Sequence, residues 1–230
     1  MPKIKIVVFT GAGMSAESGL KTFRDADGLW ENYDIMRVAS LSGWNKDPNL
    51  VQKFYNERRA QLLQVNPNEG HFILAQLETK FQINVITQNV DDLHERAGSL
   101  HVTHLHGELL KVRCTNSLNH IFDWKSALHM GHKCFCGAQL RPNIVWFGED
   151  VPLFEVATQI TENADILLVV GTSLQVYPAA SLLHYTASST PIYYIDPKPE
   201  HIKSKANIHI IKANAVEGLK TFQQILNQLS

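Results

Sequence analysis

Four short runs of β-branched and aliphatic residues constrain this chain more than any other feature. They are Ile4-Lys5-Ile6-Val7-Val8-Phe9, Ile83-Asn84-Val85-Ile86-Thr87, Ile166-Leu167-Leu168-Val169-Val170 and Pro191-Ile192-Tyr193-Tyr194-Ile195. Near-continuous apolar runs of this length suit strands buried on both faces, the condition of a parallel sheet covered by helices. Helical periodicity fills the intervals: Asn49 to Leu63, Gly70 to Lys80, Phe154 to Asn163, Val176 to Ser188 and Ala215 to Leu229. Strand and helix in alternation predict an α/β fold, a Rossmann-like doubly wound parallel sheet with helices on both faces. Two stretches break the rhythm. Residues 28–69 carry helix and no strand, and residues 109–143 hold all three cysteines with little periodicity. Both read as inserts that build a smaller second lobe, leaving residues 1–27, 70–108 and 144–230 to the larger one.

Composition narrows the classes. A length of 230 residues suits one large domain with inserts. At 44% hydrophobic and 19% charged the chain can bury a core, which excludes disorder and collagen. Lys+Arg number 21 against 22 Asp+Glu, so no global positive field draws nucleic acid or an anionic membrane. Three cysteines cannot build a disulfide framework. No apolar run reaches the roughly 20 residues of a bilayer span. Ile4 to Phe9 is too short for a secretory signal and lacks a cleavage site. The expectation is a cytoplasmic monomer with no nucleic-acid or membrane partner.

In open α/β sheets, ligands sit at the carboxyl ends of the strands. After the first run stands Gly11-Ala12-Gly13-Met14-Ser15-Ala16-Glu17-Ser18-Gly19. Two close glycines permit a tight turn and a close approach by phosphate. The third glycine comes six residues after the second rather than three, so the ordinary dinucleotide fingerprint fails. Gly171-Thr172-Ser173 after the third run can offer amides and hydroxyls, and Asp196 after the fourth can accept a ribose hydroxyl. Each alone also suits a turn or helix cap. The second run ends at Gln88, Asn89, Asp91 and Asp92, with His104 and His106 further on. On one strand these histidines would share a face. With Asp91 they would suit a metal hydrolase, whereas a single histidine in the pocket suits a general base.

Cys114, Cys134 and Cys136 resemble a zinc module with one ligand missing, since Ser117 stands where a fourth thiolate is expected. A serine hydroxyl is a poor zinc ligand. Three thiolates with His120, His129 or His132 can still complete a tetrahedron, and a zinc-free remnant held by packing is the other reading. The expectation is weakly held or substoichiometric structural zinc.

Several segments resemble the sirtuin signature in order along nearly the whole chain. They are residues 11–19, Phe23-Arg24-Asp25, Thr87-Gln88-Asn89-Val90-Asp91, His104-Leu105-His106-Gly107, Leu140 to Glu149 and Gly171-Thr172-Ser173. Leu20-Lys21 and Ser117 depart from the pattern. The resemblance implies a single catalytic domain that removes acyl groups from protein lysines and consumes NAD. In that family the acyl oxygen attacks C1′ of the nicotinamide ribose, and a histidine, here His106, deprotonates a ribose hydroxyl. Nicotinamide and O-acyl-ADP-ribose are the products. The implied NAD residues are Gly11, Ala12, Gly13, Ser15, Glu17, Phe23, Arg24, Trp30, Gln88, Asn89, Asp91, Gly171, Thr172, Ser173, Asp196 and Ala213. Val145, Phe147, Gly148 and Glu149 would bind the acyl-lysine peptide. Tyr55 and Arg58, at i,i+3 on one helix face, resemble the class III pair that receives the carboxylate of succinyl- or malonyl-lysine. Ala39 would leave room for the longer chain, and acetyl removal is expected as well. A sirtuin-like ADP-ribosyltransferase, an idle NAD-sensing module and a metal hydrolase are the competing readings.

Overall fold

A computed structural model of the chain describes residues 3–21, 29–30, 33–199 and 207–229, with backbone alone at 29–30 and 229. Its strands are β1 (Lys5–Thr10), β2 (Leu29–Trp30), β3 (Tyr33–Asp34), β4 (Gln82–Thr87), β5 (Val102–His104), β6 (Gly107–Cys114), β7 (Ile121–Asp123), β8 (Leu140–Ile144), β9 (Ile166–Val170), β10 (Ile192–Ile195) and β11 (Ile208–Ile211). The helices are α1 (Gly13–Ala16), α2 (Ile35–Val38), α3 (Leu41–Lys46), α4 (Pro48–Leu62), α5 (Glu69–Leu77), α6 (Leu93–Arg96), α7 (Phe154–Glu162) and α8 (Ala215–Leu229).

Six strands form one sheet in the order β11-β10-β9-β1-β4-β5, every pair parallel. The winding reverses between β1 and β9, the position at which a doubly wound sheet opens a crevice at its carboxyl edge. Ile6, Val7, Val8 and Phe9 are all buried. Ile6 and Val8 pack with Leu74 and Leu77 of α5 and Leu219, Phe222 and Leu226 of α8. Val7 and Phe9 face the other way, toward Ala157 of α7 and Leu182 and Leu183. Burial on both faces is why these strands read as continuous apolar runs. Asp47 caps α4, with Pro48 opening it, and Asn68 caps α5 through a reciprocal pair with His71.

A separate antiparallel sheet, β7-β6-β8, occupies the cysteine-bearing stretch. Its face packs with α4 through Phe54, Tyr55 and Leu62 against Leu109, Ile144 and Trp146.

Two expectations need correction, and two strands went unforeseen. The stretch 28–69 does contain strand, the antiparallel β2–β3 ladder. The helix expected over Val176 to Ser188 is a 3₁₀ helix at Ala179–Tyr185. Pro178 stands at its N-cap, and Ser181 donates to the Pro178 carbonyl three residues back. Finally, the short edge strands β5 and β11 join the parallel sheet without a long apolar run to announce them. Among the described residues no helix is long and apolar enough to cross a membrane.

Candidate active site

The loops after β1 and β9 lie against each other. Gly11 N–H donates to the Val170 carbonyl at 3.0 Å, and Gly13 N–H to the Gly171 carbonyl at 2.8 Å. A Cβ on Gly11 would stand 2.7 Å from Thr172 Cβ, and one on Gly13 would stand 2.7 Å from Gly171 Cα. The glycine pair is therefore demanded by backbone-on-backbone packing at the crevice, whatever binds above it.

Above this floor opens a cavity of about 810 Å³. Its walls include Ala12, Gly13, Ser15, Glu17, Gln88, Asn89, Asp91, His106, Gly171, Thr172, Ser173 and Asp196. Ala39, Tyr55, Arg58, Val145, Phe147, Gly148 and Glu149 line it too. Gly11 and Ala213 are not in the wall; their neighbours Ala12, Asn214 and Ala215 are. Phe23 and Arg24 lie outside the described residues, as does the side chain of Trp30.

The polar centre is built from the ends of β1 and β4. Asn89 Nδ2 donates to the Gly11 carbonyl at 3.0 Å and to Ser15 Oγ at 3.1 Å. The Ser15 hydroxyl in turn donates to Asp91 Oδ2 at 2.9 Å, and Leu93 N–H donates to Asp91 Oδ1 at 3.2 Å. Burial pushes the Asp91 carboxyl up, against these two hydrogen bonds. Asn89 N–H donates to Thr87 Oγ1, which also receives the hydroxyl of Thr10. The side chains of Asn89, Asp91 and Ser15 are thus fixed before any ligand arrives.

His106 sits in the turn after β5. Its Nδ1 lies 3.1 Å from the Gln88 carbonyl, which can only accept, so Nδ1 carries the proton and Nε2 is the basic nitrogen. Burial lowers the imidazole pKa, keeping it neutral and able to take a proton near pH 7. Gln88 is held in turn by the Thr172 hydroxyl at 2.9 Å. The expected strand face shared by His104 and His106 does not exist, because β5 stops at His104. His104 is buried between the Asn89 carbonyl at 3.1 Å and Glu95 at 2.7 Å, outside the cavity wall. The carboxylate of Glu95 holds its pKa up despite burial. One histidine in the cavity fits a general base and removes the premise of the metal-hydrolase reading.

At the α4 end of the cavity, Tyr55 and Arg58 line the wall together with Gln61 and Leu62. Tyr55 is fully buried, and Trp146 Nε1 donates to its hydroxyl oxygen at 3.0 Å. Burial pushes the phenol pKa far up, so it stays protonated. The Arg58 guanidinium lies 5.3 Å from the Phe54 ring centroid. The segment after β8 is pinned beside this end. Phe147 N–H donates to the Ala39 carbonyl at 2.9 Å, and Leu41 N–H to the Phe147 carbonyl at 3.2 Å. Glu149 accepts from Arg113 at 2.9 Å, from Arg141 at 2.7 Å and from Trp146 N–H at 2.9 Å. Burial works against its charge, but these donors hold its pKa below the usual carboxylate value. At Asp196, the side chain accepts from Lys198 N–H at 2.8 Å; at Glu17, it caps α8 by accepting from Val216 N–H at 2.9 Å.

Sequence reasoning missed Trp146, Lys198 and the loop Gln175 to Pro178 as wall residues. For Gln61 and Leu62 a signal existed: they continue the helical face that starts at Tyr55 and Arg58.

Away from the cavity, Cys114, His120, Cys134 and Cys136 bring their donor atoms within 4.8 Å of one another. Cys114 Sγ is 3.4 Å from Cys136 Sγ, and Cys134 Sγ is 3.4 Å from His120 Nδ1. Among the described residues this is the only group of His, Cys, Asp and Glu side chains arranged to hold a metal ion; Ser117, His129 and His132 are not in it.

A family model described as the Sir2 family matches residues 11–178. The chain belongs to the Sir2 family. It is 51% identical over 225 residues to a Helicobacter pylori protein named NAD-dependent protein deacylase, covering 98% of this chain and 96% of that one. A Bacteroides thetaiotaomicron protein of the same name is 53% identical over 227 residues, covering 96% of this chain and 97% of the relative. Among solved structures, a Sir2 homologue–NAD complex superposes with a TM-score of 0.88 at 39% identity, covering 99% of this chain and 91% of that one. A mutant Sir2 homologue in complex with ADP-ribose gives a TM-score of 0.87 at 39% identity, over 98% and 94% of the two chains. Sir2 membership agrees with the resemblance drawn from the sequence.

Proposed function

We propose that this Sir2 chain is an NAD-dependent protein-lysine deacylase. The observation that carries the reading is one cavity at the sheet's switch point where Asn89, Asp91 and a neutral, correctly tautomeric His106 converge. The relatives named above carry the same activity in their names. NAD, when bound, supplies the ribose carbon that accepts the acyl oxygen. This chain's residues then do the rest. Asn89 and Asp91 hold the nicotinamide end, Thr172 and Ser173 the phosphates, and Asp196 a ribose hydroxyl. His106 Nε2 takes a ribose hydroxyl proton, and the products are nicotinamide and O-acyl-ADP-ribose. Val145, Phe147 and Gly148 meet the peptide main chain, with Glu149 holding that segment in place. Gly11 supports the floor, and Phe23, Arg24, Trp30 and Ala213 complete the NAD set.

Tyr55 and Arg58 adapt the acyl end to succinyl and malonyl groups, with acetyl also removed. A carboxylate entering an apolar cavity loses hydration at high cost unless it is paired. Arg58 offers a fork that matches a carboxylate, and the protonated Tyr55 belongs beside it. Ala39 leaves space for the chain.

Structural zinc belongs to the same reading. Three thiolates and an imidazole within 4.8 Å of one another match a closed tetrahedral donor set. His120 takes the place that Ser117 vacates. Zinc would fasten β6 and the 134–136 turn and take no part in acyl transfer. A cytoplasmic, monomeric enzyme acting on acylated proteins completes the proposal.

The test is a balance of products. Incubation with an acyl-lysine peptide and NAD should release nicotinamide and deacylated peptide in equal amounts. Nicotinamide release with ADP-ribose transferred to protein, and no deacylated peptide, would establish the transferase instead.

A further inference from the structure

The donor that reaches Tyr55 comes from a residue 91 positions away in sequence. Trp146 is 2% exposed and held on several sides. Arg141 Cζ lies 3.3 Å from its ring centroid, and the Trp44 ring packs tilted against it with centroids 5.4 Å apart. Its backbone N–H donates to Glu149 Oε2 at 2.9 Å. Its indole Nε1–H is a donor with no acceptor role of its own, and it points at the Tyr55 oxygen at 3.0 Å. Tyr55 is itself packed edge-on against Phe54, with ring centroids 5.0 Å apart and an interplanar angle of 85°.

This geometry fixes the sense of the phenol. The indole proton occupies the tyrosine oxygen as acceptor, so the phenol's own proton is directed elsewhere and is made more acidic as a donor by the bond behind it. A carboxylate at the Arg58 end of the cavity is the acceptor that benefits. A neutral acetyl group carries no charge to pair there.

We propose that Trp146 is a specificity-determining positioning residue: its indole N–H sets Tyr55 as a donor to acidic acyl groups. The inference rests on the reading that Tyr55 and Arg58 receive the acyl carboxylate. Trp146 itself lines the cavity, and the role proposed for its indole N–H runs through Tyr55.

The test is a double-mutant cycle read as the ratio of kcat/KM for succinyl- and acetyl-lysine versions of one peptide. Variants are Trp146→Phe, Tyr55→Phe and the pair, with Arg58→Met as the reference for the pocket. Trp146→Phe should lower the succinyl-to-acetyl ratio by about 3- to 10-fold, the worth of one hydrogen bond. Tyr55→Phe should do the same, and the pair should fall no further than Tyr55→Phe alone. Should Trp146→Phe fold poorly, 3-benzothienylalanine at position 146 keeps the ring and its stacking on Arg141 and deletes only the N–H; it should show the same drop. An unchanged ratio in both position-146 variants, or a pair whose losses multiply, overturns the inference while a selective Arg58→Met leaves the acidic-acyl reading standing. If Arg58→Met does not lower the ratio, the acidic-acyl reading fails and this inference falls with it.

Discussion

If Tyr55 and Arg58 receive the acyl carboxylate as proposed, Arg58→Met should leave a plain deacetylase. Arg58 lies on α4 one turn after Tyr55, and both line the cavity. Methionine keeps the unbranched stem and the contact with Phe54 while deleting the charge and its donors. A succinyl or malonyl carboxylate then enters the cavity with its strongest partner gone. Hydrogen bonds to charged groups are worth roughly 1.5–3 kcal/mol each in net terms. Nε and Nη1 of Arg58 are buried, and the loss is counted as one such bond. That predicts a loss of roughly 10- to 150-fold in kcat/KM for succinyl-lysine. Acetyl-lysine makes no such contact and should stay within a few-fold. The assay is steady-state kinetics on one peptide carrying either acyl group, followed by chromatography of the deacylated product. Equal losses on both substrates would show that α4 only supports the fold here, and the acidic-acyl assignment would be wrong.

Glu149→Gln leaves Arg113 and Arg141 buried without their carboxylate, the three side chains being 17%, 7% and 6% exposed. Breaking one partner of such a cluster costs about 3–5 kcal/mol, which for a chain of this size lowers Tm by roughly 6–20 °C in calorimetry; a shift of a degree or two would contradict the role given to Glu149. Metal analysis of the purified protein should find one zinc per chain, lost in His120→Ala but retained in His129→Ala and Ser117→Ala. Full zinc in His120→Ala would remove His120 from the ligand set. His71 and His94 meet edge-to-face in the core, with ring centroids 4.8 Å apart, and burial lowers His71 to about 4 and His94 well below its usual value. Both are neutral when folded, whereas in the unfolded chain they bind protons below about pH 6.5. Stability should therefore fall as pH drops from about 6.5 toward 4, by up to roughly 1.4 kcal/mol per pH unit for each histidine. His94→Phe should flatten that slope in denaturant titrations, and an unchanged slope would mean that other groups set it.

How much was legible in the sequence depended on range. The cores of β1, β4, β9 and β10 and the helices α4, α5, α7 and α8 are local patterns, and the polar residues that end those strands fall at the cavity because a doubly wound sheet puts them there. Near-neighbour geometry was less secure. His104 and His106 are two apart, yet a strand that stops at His104 sends one to Glu95 and the other to the cavity. Pairings across the fold were hidden. Nothing local selects His120 over His129 or His132, since the choice depends on how β6 and β7 bring 114 and 120 beside the 134–136 turn. The bond from Trp146 to Tyr55 depends on packing β8 against α4, which no periodicity shows.

The proposed reaction needs His106 and NAD together on an acyl-lysine. Mass spectrometry of acetyl-, succinyl- and malonyl-lysine peptides, incubated with wild type and with His106→Ala, with and without NAD, tests it most directly. Wild type should shed the acyl mass only with NAD, and that mass should reappear on ADP-ribose. His106→Ala should be slower by about 10²–10⁴-fold, the usual worth of a positioned general base. Acyl loss without NAD, or near-normal turnover in His106→Ala, would contradict the account.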